Sequence, residues 1–157
     1  WHRRARASRH SPAQKGRVVK DNAVLRVVTK IIVPVILVFS LYVQFHGDYG
    51  PGGGFQAGVI FAAGFILYAL VFGVEAIERV FSAATLRIMT ALGLLLFAGV
   101  GFWSLIGGER YLDYDAFAQE PLVGQHVGIF LVELGVGITV AAVMITVFVA
   151  FAGRTSD

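Results

Sequence analysis

The chain has 157 residues, of which 57% are apolar and 15% charged, with a net charge of +3 and no cysteine. Soluble domains average roughly 45–50% apolar and 25% charged residues, so this composition is unusual for a water-soluble fold. The absence of cysteine excludes a disulfide framework and a thiolate nucleophile.

The positive charge is concentrated at the start of the chain. Nine of the thirteen basic residues precede Ile31, namely Arg3, Arg4, Arg6, Arg9, Lys15, Arg17, Lys20, Arg26 and Lys30. The rest of the chain is nearly free of charge over long runs, as a lipid bilayer requires. We therefore predict an all-α integral membrane protein with four transmembrane helices.

Residues 1–22 form a basic arm with little apolar periodicity, which predicts a disordered or surface-lying segment. We interpret its charge as positive-inside anchoring and attraction to anionic lipid, in preference to nucleic-acid binding. The basic region is too long for a secretory signal peptide, and residues 39–44 offer no small-x-small cleavage site. Because the sequence opens on Trp1 instead of methionine, we expect its true start to lie elsewhere.

Residues 23–153 are predicted to form one transmembrane domain, whose first span covers residues 24–45. At 1.5 Å per residue this span can cross a hydrocarbon core of about 30 Å. Pro34 lies inside the span and removes one intrahelical hydrogen bond, so we predict a kink there.

The second predicted span covers residues 53–74 and carries a stripe of small residues. Gly50, Gly54, Gly58 and Ala62 recur every four residues. Such spacing lets another helix backbone approach closely in a bilayer. With 19 glycines in the chain, chance spacing is the competing explanation.

A short polar connection, residues 75–87, leads to the third predicted span, residues 85–106. Residues 107–125 then interleave acidic and aromatic side chains, which suits a segment at the membrane interface. The fourth predicted span covers residues 126–151. The basic residues outside the spans cluster on one side, which predicts that both termini are cytoplasmic.

Glu133 is a carboxylate inside the fourth span, seven residues from its predicted start, or roughly 10 Å by helix rise. A carboxylate there costs about 2.5–3.5 kcal/mol on insertion scales unless it finds a partner, a proton or water. It is either an ion-transport group or a protonated side chain that bonds across a helix contact, and the sequence favours neither.

His126 lies seven residues before Glu133, on the same helical face. The pair could pass protons because histidine titrates near neutrality, although an ordinary interfacial histidine is the favoured interpretation. We predict no metal site, since no second histidine or carboxylate lies three or four residues from either side chain.

Residues 46–58, which we call the glycine corner, join the first two spans. The segment 52–57 loosely matches a dinucleotide-binding fingerprint, but that motif needs a preceding strand, and no Gly-Lys-Ser/Thr follows for a phosphate loop. We therefore predict no nucleotide and no cofactor. The glycines allow close approach of another chain, and His46 and Asp48 could contact a passing cation. Irregular backbone at membrane depth must be covered, which predicts a partner over the corner.

The glycine corner carries a family resemblance. It reads His-Gly-Asp-Tyr-Gly-Pro-Gly-Gly-Gly-Phe-Gln-Ala-Gly, and residues 59–68 continue Val-Ile-Phe-Ala-Ala-Gly-Phe-Ile-Leu-Tyr. Together with Gly-Ile-Phe-Leu-Val-Glu-Leu-Gly at residues 128–135, this pattern resembles the MnhB/MrpB family, a small membrane component of the multi-subunit Mrp-type Na+/H+ antiporter. The resemblance covers residues 20–151, and its most specific part is Pro51, Gly52, Gly53, Gly54 and Phe55, with Gly58 one turn later.

The resemblance implies a non-enzymatic subunit of a hetero-oligomer in the bacterial cell membrane that exchanges sodium ions for protons, with other Mrp subunits as partners. Three roles remain open. The chain lines an ion pathway through Glu133; it only braces an Mrp-like or membrane-bound hydrogenase-like complex; or it is a self-sufficient four-helix exporter. The last is ranked lowest, because small exporters of that kind carry their glutamate in the first helix.

Overall fold

The computed structural model describes residues 23–47, 50–108, 111–112 and 121–153, and in these ranges the only regular elements are helices. The helices are α1 (Ala23–Phe45), α2 (Gly54–Phe72), α3 (Val74–Glu78), α4 (Ala83–Ile106) and α5 (Pro121–Gly153). All but α3 are long and apolar enough to cross a membrane. This confirms, for the described residues, the prediction of a helical chain with four helices that are long and apolar enough to span a membrane; the basic arm lies outside the described residues.

Two elements differ from the bounds predicted from the sequence. α5 has 33 residues and begins at Pro121, five residues before the predicted start of the fourth span. The connection predicted to be simply polar contains the five-residue helix α3. α2 ends because Gly73 adopts a φ of 100°, and α3 then places Ile77, only 1% exposed, against the core. α1 runs unbroken through Pro34, where the kink remains a prediction.

The four long helices pack in the order α1, α2, α5, α4. α2 lies between α1 and α5, while α4 packs against the opposite side of α5. A smaller contact joins α1 to α5. A buried apolar cluster forms where α2, α3, α4 and α5 meet, and consists of Ala62, Ala69, Ile77, Leu86, Ala142 and Ile145. Half of these side chains are alanine, so the helices approach one another closely.

Glycines set the spacing between α4 and α5. A Cβ atom at Gly93 would lie 2.6 Å from the carbonyl oxygen of Gly135, and one at Gly135 would lie 2.8 Å from the carbonyl oxygen of Gly93. Real Cβ atoms do not come this near to a backbone oxygen, so both positions require glycine at the observed separation.

Hydroxyl side chains within the membrane-crossing helices bond to their own helix. Thr139 donates to the carbonyl of Gly135 at 2.8 Å, Thr90 to Leu86 at 2.9 Å and Ser104 to Val100 at 3.2 Å. A hydroxyl that bonds the carbonyl three or four residues earlier needs no partner from lipid or water. These three hydroxyls therefore leave no unpaired donor in their helices.

The fold has two chemically different ends. At one, which we call the corner end, α1 stops and α2 begins. At the other, the basic end, Arg26 and Lys30 lie over the ring of Phe72, at 5.2 and 5.7 Å from its centroid. Cations at this range are attracted by the ring face.

Candidate functional site

The described part of the glycine corner, residues 46–47 and 50–58, brings the end of α1 and the start of α2 together. α1 ends at Phe45, and the amide of Gly53 donates to the carbonyl of Val43 at 3.4 Å. Gly53 has a φ of 130°, which side chains with a Cβ atom rarely adopt, and it is the residue immediately before α2. Its carbonyl accepts the first bond of α2, from the amide of Ala57 at 3.0 Å. The glycine at position 53 is therefore required by the backbone itself.

The carboxyl group of Glu133 lies against this corner. A Cβ atom built on Gly47 would contact both carboxyl oxygens of Glu133, with Oε1 at 2.7 Å. A Cβ atom on Gly53 would lie 3.2 Å from the same Oε1. The side chain of Glu133 is half-buried. The two features that the sequence presented separately, the glycine corner and the intramembrane carboxylate, thus form a single site.

The backbone of Glu133 also contacts the corner. A Cβ atom on Gly54 would overlap the carbonyl group of Glu133, lying 2.7 Å from its carbon atom. One turn further along both helices, a Cβ atom on Gly58 would lie 2.6 Å from the carbonyl oxygen of Gly137. Gly54 and Gly58 are therefore positioned against Glu133 and Gly137, at the same spacing of four residues on each helix. α2 begins at Gly54, so Gly50 lies outside it, beside the imidazole of His46.

Aromatic rings flank the site on α1. The ring of His46 stacks on that of Tyr42, with centroids 5.1 Å apart. Phe45 stacks on Phe130 of α5, with centroids 5.6 Å apart. The second pair connects α1 to α5 close to Glu133, and His46 is half-buried at the edge of the corner.

The other residues singled out in the sequence lie at different distances from the carboxylate. Gly52 approaches the carbonyl of Val43, to which its Cβ atom would lie 2.8 Å. Pro51 and Phe55 are exposed. His126 is exposed on α5, about 10 Å of helix rise from Glu133. Asp48 lies outside the described residues.

Sequence reasoning missed Gln44. Its side chain is only 6% exposed, and its Oε1 lies 2.6 Å from where a Cβ atom on Gly137 would be. Within the described residues, its Nε2 has no hydrogen-bond partner. The available signal was an amide in the second half of the first span, where most residues are apolar. It was overlooked because polar side chains near span ends usually reach the interface.

The arrangement combines one carboxylate with closely packed backbone. The carboxylate can exchange a proton or bind a small cation, and the surrounding glycines make room for it that side chains would occupy. An ionisable group inside a membrane-crossing segment marks an ion or substrate pathway in most membrane proteins. The fold is that of a multi-pass membrane protein, and it places an ionisable group inside one of its membrane-crossing segments.

Comparison with known proteins identifies the family. A family model described as a domain related to the MnhB subunit of Na+/H+ antiporters matches residues 24–146. Proteins of Staphylococcus haemolyticus and Staphylococcus aureus strain Newman, both named "Putative antiporter subunit mnhB2", are each 36% identical over 140 residues. Each alignment covers 87% of this chain and 99% of the relative. The chain therefore belongs to the MnhB family, which confirms the resemblance read from the glycine corner and from α5.

Proposed function

We propose that this chain is the MnhB-type subunit of a hetero-oligomeric Mrp-type Na+/H+ antiporter and that Glu133, held against the glycine corner, is an ion-binding group of its pathway. Membership of the MnhB family supports the first half of the proposal. The observation that carries the second half is the contact of the Glu133 carboxyl with Gly47 and Gly53.

Helix lengths indicate the depth of this site. Fifteen residues separate Lys30 from Phe45, or about 22 Å along α1. If Lys30 marks one face of a hydrocarbon core of about 30 Å, the corner lies about 8 Å below the other face. α5 continues past Glu133 for twelve residues to Pro121, about 18 Å further toward that face. α5 therefore extends beyond the corner toward that face, and ions would reach Glu133 from the corner end.

The positive-inside rule supports an orientation. Arg26, Lys30, Arg79 and Arg87 all lie on or near the basic end. Basic residues near the ends of membrane helices favour the cytoplasm. The basic end then faces the cytoplasm, with both termini on that side, and the corner opens outward. Sodium ions and protons are the transported ions, and the other antiporter subunits, in the same bacterial membrane, are the partners.

The test is Glu133→Gln in everted membrane vesicles that contain the whole complex. Glutamine keeps the shape of the side chain but removes its charge, so sodium-dependent proton movement should fall by about tenfold or more. The matched control is Glu75→Gln, which makes the same change at an exposed carboxylate on α3 and should leave exchange unchanged. Co-purification of the other subunits, measured for both variants, reports assembly. Full exchange by an assembled Glu133→Gln complex would remove Glu133 from the pathway.

One observation favours a second role. The carbonyl of Glu133 packs against Gly54, so the same residue also sets the contact between α2 and α5. A purely bracing subunit would need this contact and no charge. Because Glu133→Gln keeps this backbone contact, normal assembly and normal exchange by that variant, with loss of assembly in Gly54→Leu, would favour the bracing role over the ion pathway.

A further inference from the structure

A groove lies at the basic end of the bundle, where α3, α4 and the last turns of α5 meet. It has a volume of about 640 Å³, within the range of about 300–1,000 Å³ that is usual for sites that bind small molecules. Ala150 in its lining follows Glu133 by seventeen residues, or about 25 Å along α5, so the groove is separate from the glycine corner. The lining combines two charged residues with apolar ones and includes Glu78, Arg87, Phe81, Leu86, Val149 and Ala150.

The ends of α4 and α5 place this groove near a membrane face. Arg87 is in the second turn of α4, four residues or about 6 Å from its start at Ala83, and Ala150 is in the last turn of α5. Both helices are long and apolar enough to cross a membrane, so these ends lie close to where hydrocarbon gives way to headgroups. An arginine at this depth can keep its apolar stem along the helix and its guanidinium among the headgroups.

Arg87 and Glu78 bring opposite charges to the groove, and both side chains are exposed. The Nε atom of Arg87 donates to the carbonyl of Ala83 at 3.2 Å, which holds the guanidinium beside the start of α4. Among the residues that the structure describes, neither Arg87 nor Glu78 has an ion-pair partner. Both charges are therefore available to a ligand that carries the complementary pair.

We propose that the groove binds a phospholipid whose headgroup carries a phosphate and a primary ammonium group, the chemistry of phosphatidylethanolamine. The Arg87 guanidinium donates to the phosphate oxygens, because its planar fork of N–H groups matches phosphate geometry. The Glu78 carboxylate accepts from the ammonium group, which a two-carbon link joins to the phosphate. An acyl chain packs along Phe81, Leu86 and Val149, where its apolar surface is covered.

Glu78 gives the groove its selectivity among headgroups. Arg87 alone would favour any anionic lipid, as basic pockets between membrane helices do. The glycerol headgroup of phosphatidylglycerol has no cation for Glu78, so its negative charge meets the carboxylate uncompensated. The quaternary ammonium of phosphatidylcholine has no N–H group to donate. This inference requires only that the helices cross a membrane, and it does not rest on the role of Glu133.

Photo-crosslinking tests the occupant without any variant. The assembled complex is placed in lipid nanodiscs with a trace of phosphatidylethanolamine, phosphatidylcholine or phosphatidylglycerol, each with a diazirine at the same position of one acyl chain. Mass spectrometry then measures the labelling of residues 146–150, and the ethanolamine probe should label them several-fold more than either other probe. Equal labelling by the three probes would overturn the proposal by indicating bulk lipid. No labelling by any probe would also overturn it, by indicating that a neighbouring subunit or another segment of this chain covers the groove.

Substitutions in the same assay test the two charges. Arg87→Gln removes the charge that binds phosphate, so labelling by the ethanolamine probe should fall several-fold. The matched control, Arg79→Gln, changes an exposed arginine outside the lining and should leave the labelling unchanged. Glu78→Gln should bring the ethanolamine and glycerol probes close to equality. In assembled complexes, full labelling of Arg87→Gln would exclude the phosphate contact, and an undiminished ethanolamine preference in Glu78→Gln would exclude the ammonium contact.

Discussion

Gly54 decides how closely α2 can approach α5. Its Cα lies so near the carbonyl group of Glu133 that a single methyl group would overlap it. The position of Glu133 relative to the glycine corner therefore depends on residue 54 having no side chain. A second glycine, Gly58, repeats this contact one turn later, so the separation is set along the first two turns of α2.

We predict that Gly54→Ala destabilises the fold by about 1–3 kcal/mol, the range for forcing extra volume into a packed contact. The matched control is Gly99→Ala on α4, where a Cβ atom meets nothing within 4 Å. That change should be neutral or should stabilise by about 0.5–1 kcal/mol, because alanine is the better helix former. Thermal unfolding of the purified complex measures both, and equal stability of the two variants would contradict the close contact.

At this scale the sequence predicted the residue types but not their pairing. The spacing of Gly54, Gly58 and Ala62 indicated a surface for close packing, and Glu133 was identified as an unusual charge. Nothing in the sequence showed that Gly54 and Gly58 meet Glu133 and Gly137, since a stripe of small residues does not specify which helix it faces. The sequence predicted that a partner covers the glycine corner, and α5 of the same chain provides part of that cover. Gln44 was overlooked because its burial depends on that same pairing.

Among the elements, α4 has the most clearly defined start. Ser82 precedes its first helical residue with an extended backbone, and its hydroxyl oxygen accepts from the amide of Thr85 at 3.1 Å. This serine satisfies one of the donors that a helix start leaves unpaired. It also lies in the connection between α3 and α4.

Ser82→Ala should therefore cost about 1 kcal/mol of unfolding free energy, as expected for the loss of a helix cap. Ser82→Asp keeps an oxygen acceptor at the same place and should retain most of the stability. Denaturation of the two variants, followed by circular dichroism, makes the comparison. A Ser82→Ala protein as stable as Ser82→Asp would show that the cap contributes little here.

The long helices could be predicted because a run of about twenty apolar residues without charge is the length that a helix needs to cross a membrane. α3 was missed for a different reason. Its five residues include Glu75 and Glu78, and that polarity indicated a loop, while the burial of Ile77 is visible only in the folded chain. Short helices depend on tertiary packing more than on their own sequence.

Across the whole molecule, α1 and α4 lie at the two ends of the helix order and carry large exposed apolar side chains. On α1 these include Ile31, Val35, Val38 and Phe39, and on α4 they include Leu92, Leu95, Phe102, Trp103 and Ile106. In a membrane, lipid or neighbouring subunits cover such faces. The sequence could not predict this order of helices, because α4 and α2 are similarly apolar and both carry small residues.

The proposed orientation makes a prediction for labelling, which the absence of cysteine simplifies. Gly107→Cys, just beyond α4, should react with a membrane-impermeant thiol reagent in intact cells. Val80→Cys, exposed between α3 and α4, should react only in everted vesicles. Mass spectrometry of this subunit measures the extent of labelling at both positions. The opposite pattern would place the corner end in the cytoplasm.

The proposed position of Glu133 in the membrane also has an electrical consequence. If Glu133 lies about 8 Å below the outer face of a core of about 30 Å, as proposed above, a cation arriving from outside crosses about a quarter of the membrane voltage. A unit charge that crosses the whole membrane changes its free energy by about 2.3 kcal/mol per 100 mV. Its arrival at Glu133 therefore accounts for only about 0.6 kcal/mol per 100 mV. The remaining three quarters fall across the segment between Glu133 and the cytoplasm, where α2, α4 and α5 pack around the buried apolar cluster. The membrane potential would thus act mainly on the movement of an ion between Glu133 and the cytoplasm. It would have little effect on the arrival of an ion at Glu133 from outside.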